Sequence, residues 1–187
     1  MLRVITGTAR GHKLKTLKGC ETRPTSDRVK ESVFNIIAKH LENAHVLDLF
    51  AGSGNLGIEA LSRSALQAVF VDINGDAVSV IRENLMKTRL AERGTVIRGD
   101  ALKVLYNLSK DGKRFDIIFI DPPYKSGLLG KSLDIIEKEG LLKETGVVVA
   151  ERSSNDSAIE RAGNLKLARD CVYGNTAVAF YSYSGEI

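Results

Sequence analysis

From residue 45 onward the chain alternates short apolar runs with stretches in which apolar residues recur at helical spacing. Val46 to Phe50, Ala68 to Val71, Thr95 to Ile97, Asp116 to Ile120 and Gly146 to Ala150 read as strands. Between the second and third, Asp76 to Thr88 carries Ala77, Val80, Ile81 and Leu85 on one face, which predicts a helix. Strands that are apolar on both faces and separated by helices predict an α/β protein with a parallel sheet covered on both sides. The tail differs. Leu165 to Arg169 and Thr176 to Tyr183 alternate with no helix between them, which predicts an antiparallel hairpin on the sheet edge.

Before residue 45 the pattern is shorter and more polar. Arg3 to Thr6 reads as a brief strand, and the loop Gly7 to Lys13 returns the chain to Leu14 and Leu17, giving an N-terminal β-hairpin. In Arg23-Pro24-Thr25-Ser26-Asp27, a proline and cap-forming residues announce a helix, with Val29, Val33, Ile36, Ile37 and Leu41 as its apolar face. The 187 residues, 43% of them hydrophobic, suffice for one sizeable core and not two. A single domain over 1–187 is expected, with the hairpin and helix in 1–43 and the α/β core in 44–187.

No apolar run approaches the roughly 20 residues that span a bilayer, and Met1 to Gly7 lacks the apolar segment of a signal peptide. A soluble, cytoplasmic protein without a membrane partner is expected. Cys20 and Cys171 are far apart and isolated, so reduced thiols and no metal site are expected.

Charge is unevenly distributed. The net charge is +4, but residues 1–40 hold nine Lys or Arg against three Asp or Glu, while the remainder holds 18 against 20. A local basic excess suits a polyanion, because neutralising phosphates releases counterions. A solvated basic face is the plainer alternative.

Gly52-Ser53-Gly54-Asn55-Leu56-Gly57 matches the dinucleotide-binding turn letter for letter. By itself this says only that a ligand needs close approach to the backbone. Four acids stand at the carboxyl ends of predicted strands: Asp48, Asp72, Asp100 and Asp121. Asp72 is spaced from the turn as a carboxylate that takes both ribose hydroxyls would be. Asp100, or the Ala101 N–H, can reach a nucleobase edge, the alternative for Asp100 being a helix cap. Asp48 argues against a pyrophosphate, because its charge would repel phosphates and attract an ammonium or sulfonium.

After the fourth strand comes Asp121-Pro122-Pro123-Tyr124. Two prolines fix the backbone and remove two N–H donors, leaving a carboxylate and carbonyls that accept. A nucleobase amine has one hydrogen for Asp121 and one for the Pro122 carbonyl, while Tyr124 can stack on the ring. A plain turn after a buried strand is the structural alternative.

These motifs resemble the S-adenosylmethionine-dependent amino-methyltransferases. With "RVITGTARGHKL", "RPTSDRVKESVFN", "VLDLFAGSGNLGIEALSR" and "YGNTAVAFY", nearly the whole chain is similar to the RsmD type, which methylates the N2 amine of a guanine in 16S ribosomal RNA. The resemblance implies a Rossmann-like class I methyltransferase fold, a seven-stranded, mostly parallel sheet with its last strand antiparallel. It implies S-adenosylmethionine held by Asp48, Phe50, Ala51, Gly52 and Gly54, by Asp72 and Ile73, and by Asp100, Ala101 and Asp121. The expected partner is 16S rRNA or a small-subunit assembly intermediate, bound by a monomer. The candidate phosphate contacts are Arg3, Arg10, His12, Lys13, Lys15, Arg23, Arg28 and Lys30, where Arg23 has the alternative of bordering the cofactor and His12 a neutral loop role. Two departures stand out: Asn55, where related sequences often carry Ala or Ser, and the polar part of "YGNTAVAFY".

Three rival readings fit less of the chain. A nicotinamide oxidoreductase rests on the glycines alone and finds no substrate domain after residue 125. An adenine-N6 DNA methyltransferase shares the tetrapeptide but needs an inserted recognition domain. A non-catalytic RNA-binding module leaves Asp72, Asp100 and the tetrapeptide without a role.

Overall fold

The computed structural model describes residues 2–17, 27–123 and 126–187. An N-terminal arm of residues 2–17 precedes α1 (Asp27–Ile36) and β1 (His45–Leu49), followed by α2 (Asn55–Ser62), β2 (Gln67–Asp72), α3 (Gly75–Lys87) and β3 (Gly94–Arg98). Then come α4 (Ala101–Lys110), β4 (Phe115–Ile120), α5 (Leu128–Lys138), β5 (Leu142–Ser153), β6 (Arg161–Ala162), β7 (Leu165–Tyr173) and β8 (Thr176–Ser182). One sheet runs in the order β3-β2-β1-β4-β5-β8-β7-β6. The first five strands are parallel, and β8 is antiparallel to β5.

The Rossmann-like class I fold is as expected, with eight strands among the described residues instead of seven. The additional strand, β6, is two residues paired with β7, too short to leave a period in the sequence. The tail hairpin forms on the edge of the parallel strands, as expected. Its strand β8 lies between β5 and β7, and β6 is the outermost strand on that side. β5 also runs past the predicted Ala150 to Ser153, because residues 151–153 pair with β8.

Alternation along the strands divides the core into two layers. Val46, Phe70, Phe119, Val149 and Val178 face α1, α2, α3 and the arm, where Leu2, Val4, Phe34, Ile58 and Ile81 meet them. Leu47, Leu49, Ile118, Ile120 and Val148 face α4 and α5 through Leu105, Leu133 and Ile136. Both faces are therefore dry, which is why these strands read as continuous apolar runs. No helix among the described residues is long and apolar enough to cross a membrane.

The N-terminal hairpin is looser than its pattern suggests. Arg3 and Lys13 form an isolated antiparallel bridge, flanked by Val4 N–H donating to His12 O (3.0 Å) and Leu14 N–H to Leu2 O (2.9 Å). The predicted strand stops there because the next two amides, of Ile5 and Thr6, donate instead to the Glu59 carboxylate in α2, at 2.8 and 3.0 Å. The predicted apolar face through Leu41 is also interrupted, since α1 ends at Ile36 and a single 3-10 turn, Ala38–His40, follows.

Candidate active site

Strand order reverses between β1 and β4, and the carboxyl ends of these strands open the crevice where ligands bind in such sheets. The chain leaves β1 through Phe50, whose φ of 66° is unusual for an aromatic residue, and turns through Gly52 (φ 55°) and Gly54 (φ 76°) into α2. Ala51 N–H donates to Val71 O (2.9 Å) and Gly54 N–H to Ala51 O (2.7 Å), so the turn is held from β2 and closed on itself. A Cβ placed on Gly52 would meet no atom within 4 Å, so the turn is open to a ligand on that side.

Asp48 lies in the layer facing α2, nearly fully buried, and its Oδ2 accepts the Gly57 N–H at 2.8 Å. The carboxyl thus occupies the first turn of α2, where a phosphate would otherwise sit. Gly57 is required there, because a Cβ would come within 2.3 Å of the Phe70 ring and 3.1 Å of Asp48 Oδ2. Burial raises the Asp48 pKa to about 7 against the pull of the Gly57 N–H, with Asp72 adding a smaller push.

Asp121 follows β4 on the same side of the sheet, its N–H 3.4 Å from Leu49 O. Burial, then the charges of Glu151 and Asp48, push its carboxyl well above the usual carboxylate range. Glu151 itself lines an apolar niche with Val33, Leu56, Ile120, Val149 and Val178. Three acids from three adjacent strands therefore share one poorly solvated region. A cation entering it would relieve their repulsion. Pro122 is buried and Pro123 exposed, while Tyr124 lies outside the described residues.

The other strand ends offer hydrogen-bonding groups. Asp72 accepts the Gly52 N–H through Oδ2 and the Asn74 N–H through Oδ1, both at 2.8 Å. Each oxygen keeps a second lone pair for a hydroxyl. Next to it Ile73 is 67% exposed, an apolar surface beside a polar anchor. Asp100 caps α4 by accepting the Lys103 N–H (3.0 Å), so its capping role is real, and Ala101 begins the helix with an N–H that has no intrahelical partner. Among the described residues no group of three or more His, Cys, Asp or Glu could hold a metal ion.

The basic positions differ in exposure and in partners. Arg10, Lys13 and Arg28 are exposed, and Arg28 lines a groove of about 580 Å³ between α1 and β7 together with Ser32, Asn35 and Arg169. Arg3 and Lys15 are also exposed but paired, Arg3 with Asp27 at 2.8 Å and Lys15 with Glu83 at 2.7 Å. His12 Nδ1 lies 2.9 Å from Ala9 O, a contact within its own loop. Lys30 corrects the expectation of a phosphate contact. It is fully buried, 3.0 Å from Glu59, with its ammonium donating to Arg3 O and Asn55 Oδ1. The helix turns Lys30 inward beside Val29, Val33 and Phe34, so its charge never reaches the surface. Arg23 lies outside the described residues.

The model of the family described as Conserved hypothetical protein 95 matches residues 2–182. The chain belongs to this family. The YlbH protein of Bacillus subtilis is 42% identical to it over 184 residues, 98% of this chain and all of that one. The ribosomal RNA small subunit methyltransferase D of Escherichia coli is 34% identical over 180 residues, 96% of this chain and 89% of that one. Among solved structures, YhhF of Escherichia coli matches with a TM-score of 0.85 at 34% identity, covering 96% of both chains.

In this member of the Conserved hypothetical protein 95 family, two buried or half-buried acids carry little signal in the sequence. Glu151 falls one position past the strand predicted to end at Ala150, although it repeats the pattern of an acid at a strand end. Glu59 stands between Ile58 and Ala60 in an otherwise apolar turn of α2, and that isolation was its one signal.

Proposed function

We propose that the chain transfers a methyl group from S-adenosylmethionine to the exocyclic N2 amine of a guanine in small-subunit ribosomal RNA. One observation carries this reading: the Asp48 carboxyl fills the first turn of α2, so the glycine turn suits a nucleoside bearing positive charge and not a pyrophosphate. The name of the Escherichia coli relative, a ribosomal RNA small subunit methyltransferase, supports methyl transfer to small-subunit ribosomal RNA.

When bound, S-adenosylmethionine supplies a methyl group already activated by its sulfonium, so the acceptor amine needs alignment more than it needs a strong base. Asp72 takes the ribose hydroxyls, and Ile73 with the Ala101 N–H and Asp100 borders the adenine. Phe50, Ala51, Gly52 and Gly54 leave room for the methionine end, near Asp48. Asp121 and the Pro122 carbonyl accept the two amine hydrogens, and Pro123 holds the turn rigid. Asp121 then accepts the proton as positive charge develops on the amine.

The guanine must be unpaired or flipped, because a duplex hides N2 in the minor groove. Arg10, Lys13 and Arg28 meet its flanking phosphates, with Arg169 extending the track. Arg3 and Lys15 exchange their exposed carboxylate partners for phosphate at small cost, since such pairs contribute little. A monomer suffices, with both the acids and the cations in one chain, and the cytoplasm is where its ribosomal substrate lies.

The test is incubation with methyl-labelled S-adenosylmethionine and either naked 16S rRNA or small-subunit particles, followed by nucleoside analysis. Label in N2-methylguanosine is the expected result. Absence of label from both substrates, with NAD binding more tightly than S-adenosylmethionine, would overturn the reading.

A further inference from the structure

Asn84, in α3, is 1% exposed, and its side-chain amide bonds to backbone far away in the chain. Its Oδ1 accepts the Lys15 N–H at 2.8 Å, while its Nδ2 donates to Lys15 O at 3.0 Å and to Ser53 O at 2.9 Å. Lys15 belongs to the N-terminal arm and Ser53 to the glycine turn. One amide therefore pairs with the arm as a neighbouring strand would, and its second hydrogen holds the turn.

A second clasp joins the same two parts. The Lys30 ammonium donates to Arg3 O in the arm at 2.6 Å and to Asn55 Oδ1 at 2.7 Å. Ser53 and Asn55 flank Gly54, so the turn is tied to the arm on both sides of its left-handed glycine. The arm also meets the end of α2 close to these points. Thr8 N–H donates to Ser62 O (2.9 Å) and Ala9 N–H to Ser62 Oγ (3.0 Å), and a Cβ on Gly7 would lie 1.8 Å from Ser62 O. Buried polar groups are costly to leave unmet, so arm and turn shift together or not at all.

We propose that Asn84 is a positioning residue for the glycine turn, through which seating of the arm on RNA and binding of S-adenosylmethionine become one linked equilibrium. This rests on the methyl-transfer reading, in which the turn takes the cofactor and the arm the RNA. Phosphates held by Arg10 and Lys13 restrain the arm. Asn84 and Lys30 pass that restraint to Ser53 and Asn55, so less ordering remains to be done when the cofactor binds. Linkage is reciprocal, and the cofactor raises RNA affinity by the same factor.

The test measures the dissociation constant of sinefungin, which carries an amine in place of the sulfonium methyl and is not turned over. It is titrated with and without saturating small-subunit rRNA, in the wild-type chain, Asn84→Ala and Asn55→Ala. RNA should tighten sinefungin binding about five-fold or more in the wild type. That ratio should fall toward one in both variants, while thermal unfolding confirms that they are folded. If Asn84→Ala does not fold, Asn55→Ala carries the test, since Asn55 is only half-buried. A wild-type ratio near one, or a ratio retained in the folded variants, overturns the linkage. Failure of the wild type to bind sinefungin at all instead overturns the methyl-transfer reading beneath it.

Discussion

The Lys30 ammonium lies 3.0 Å from the Glu59 carboxylate, and neither side chain has any exposure to solvent. Glu59 also accepts the Arg63 Nε–H at 2.8 Å and the backbone amides of Ile5 and Thr6, so its charge is met from α1, α2 and the arm at once. Burial lowers the Lys30 pKa, and the neighbouring carboxylate opposes that shift. Arg63 in turn lies over the Phe34 ring, 4.8 Å from its centroid. This hub fastens the basic arm to the helix that leaves the glycine turn.

Removing one partner of such a pair leaves a buried charge without its counterion. Lys30→Ala is expected to cost about 3–5 kcal/mol of stability in urea unfolding. A variant as stable as the wild type but weaker for RNA would show that Lys30 acts at the surface after all.

The exposed arm should behave in the opposite way. Arg10→Glu and Lys13→Glu are expected to change stability by no more than about 0.5 kcal/mol. Each should weaken RNA binding and reduce the slope of log affinity against log salt by about 0.7–0.9 for every phosphate left without its cation. Filter binding across a salt series reads both quantities, and an unchanged slope would leave the arm a merely solvated face.

At the end of β4, Asp121→Asn is expected to lower kcat by about 100-fold or more while sinefungin still binds by calorimetry. Glu151 raises the proton affinity of Asp121, so Glu151→Gln should lower it. In the proposed mechanism the ionised carboxylate accepts the amine hydrogens, so the acid limb of the rate profile should then move to lower pH. A shift in the other direction would remove Asp121 from control of that limb.

The Asp48 carboxyl has a folded pKa of about 7 against an ordinary value of 3.8. A raised carboxyl binds its proton more tightly in the folded state, so its contribution is most favourable at low pH and is lost as pH rises from about 4 to about 7. The full loss amounts to at most about 4 kcal/mol. Asp48→Asn removes this titration, so its stability relative to the wild type should improve between pH 5 and pH 8. Urea unfolding at the two values measures it, and a pH-independent difference would contradict the raised pKa.

Periodicity and local chemistry made much of this protein legible from its residues. Runs such as Val46 to Leu49 and Ile117 to Ile120 are apolar at every alternate position on both faces, apart from Asp48. That pattern has few solutions other than a covered parallel strand. Glycines at 52 and 54, the acids at 72 and 121 and the paired prolines are likewise local signals, because each states what its own backbone or side chain can do.

Partners distant in sequence were not legible. Nothing near Lys30 marks it as buried, since Glu59 and Asn55 reach it only when α1 packs on α2. Asn84 reads as an ordinary helical polar residue until α3 brings it between Lys15 and Ser53. The position of β8 between β5 and β7, which sets Val178 beside Glu151, follows from strand pairing and not from alternation. Which groups carry charge and which segments form strands, helices and turns can be read along the chain, because these depend on neighbours a few residues away. Which charges lose their water and which groups they meet follows from packing alone, because desolvation and hydrogen-bond partnership depend on whatever lies against a residue, however far along the chain it is.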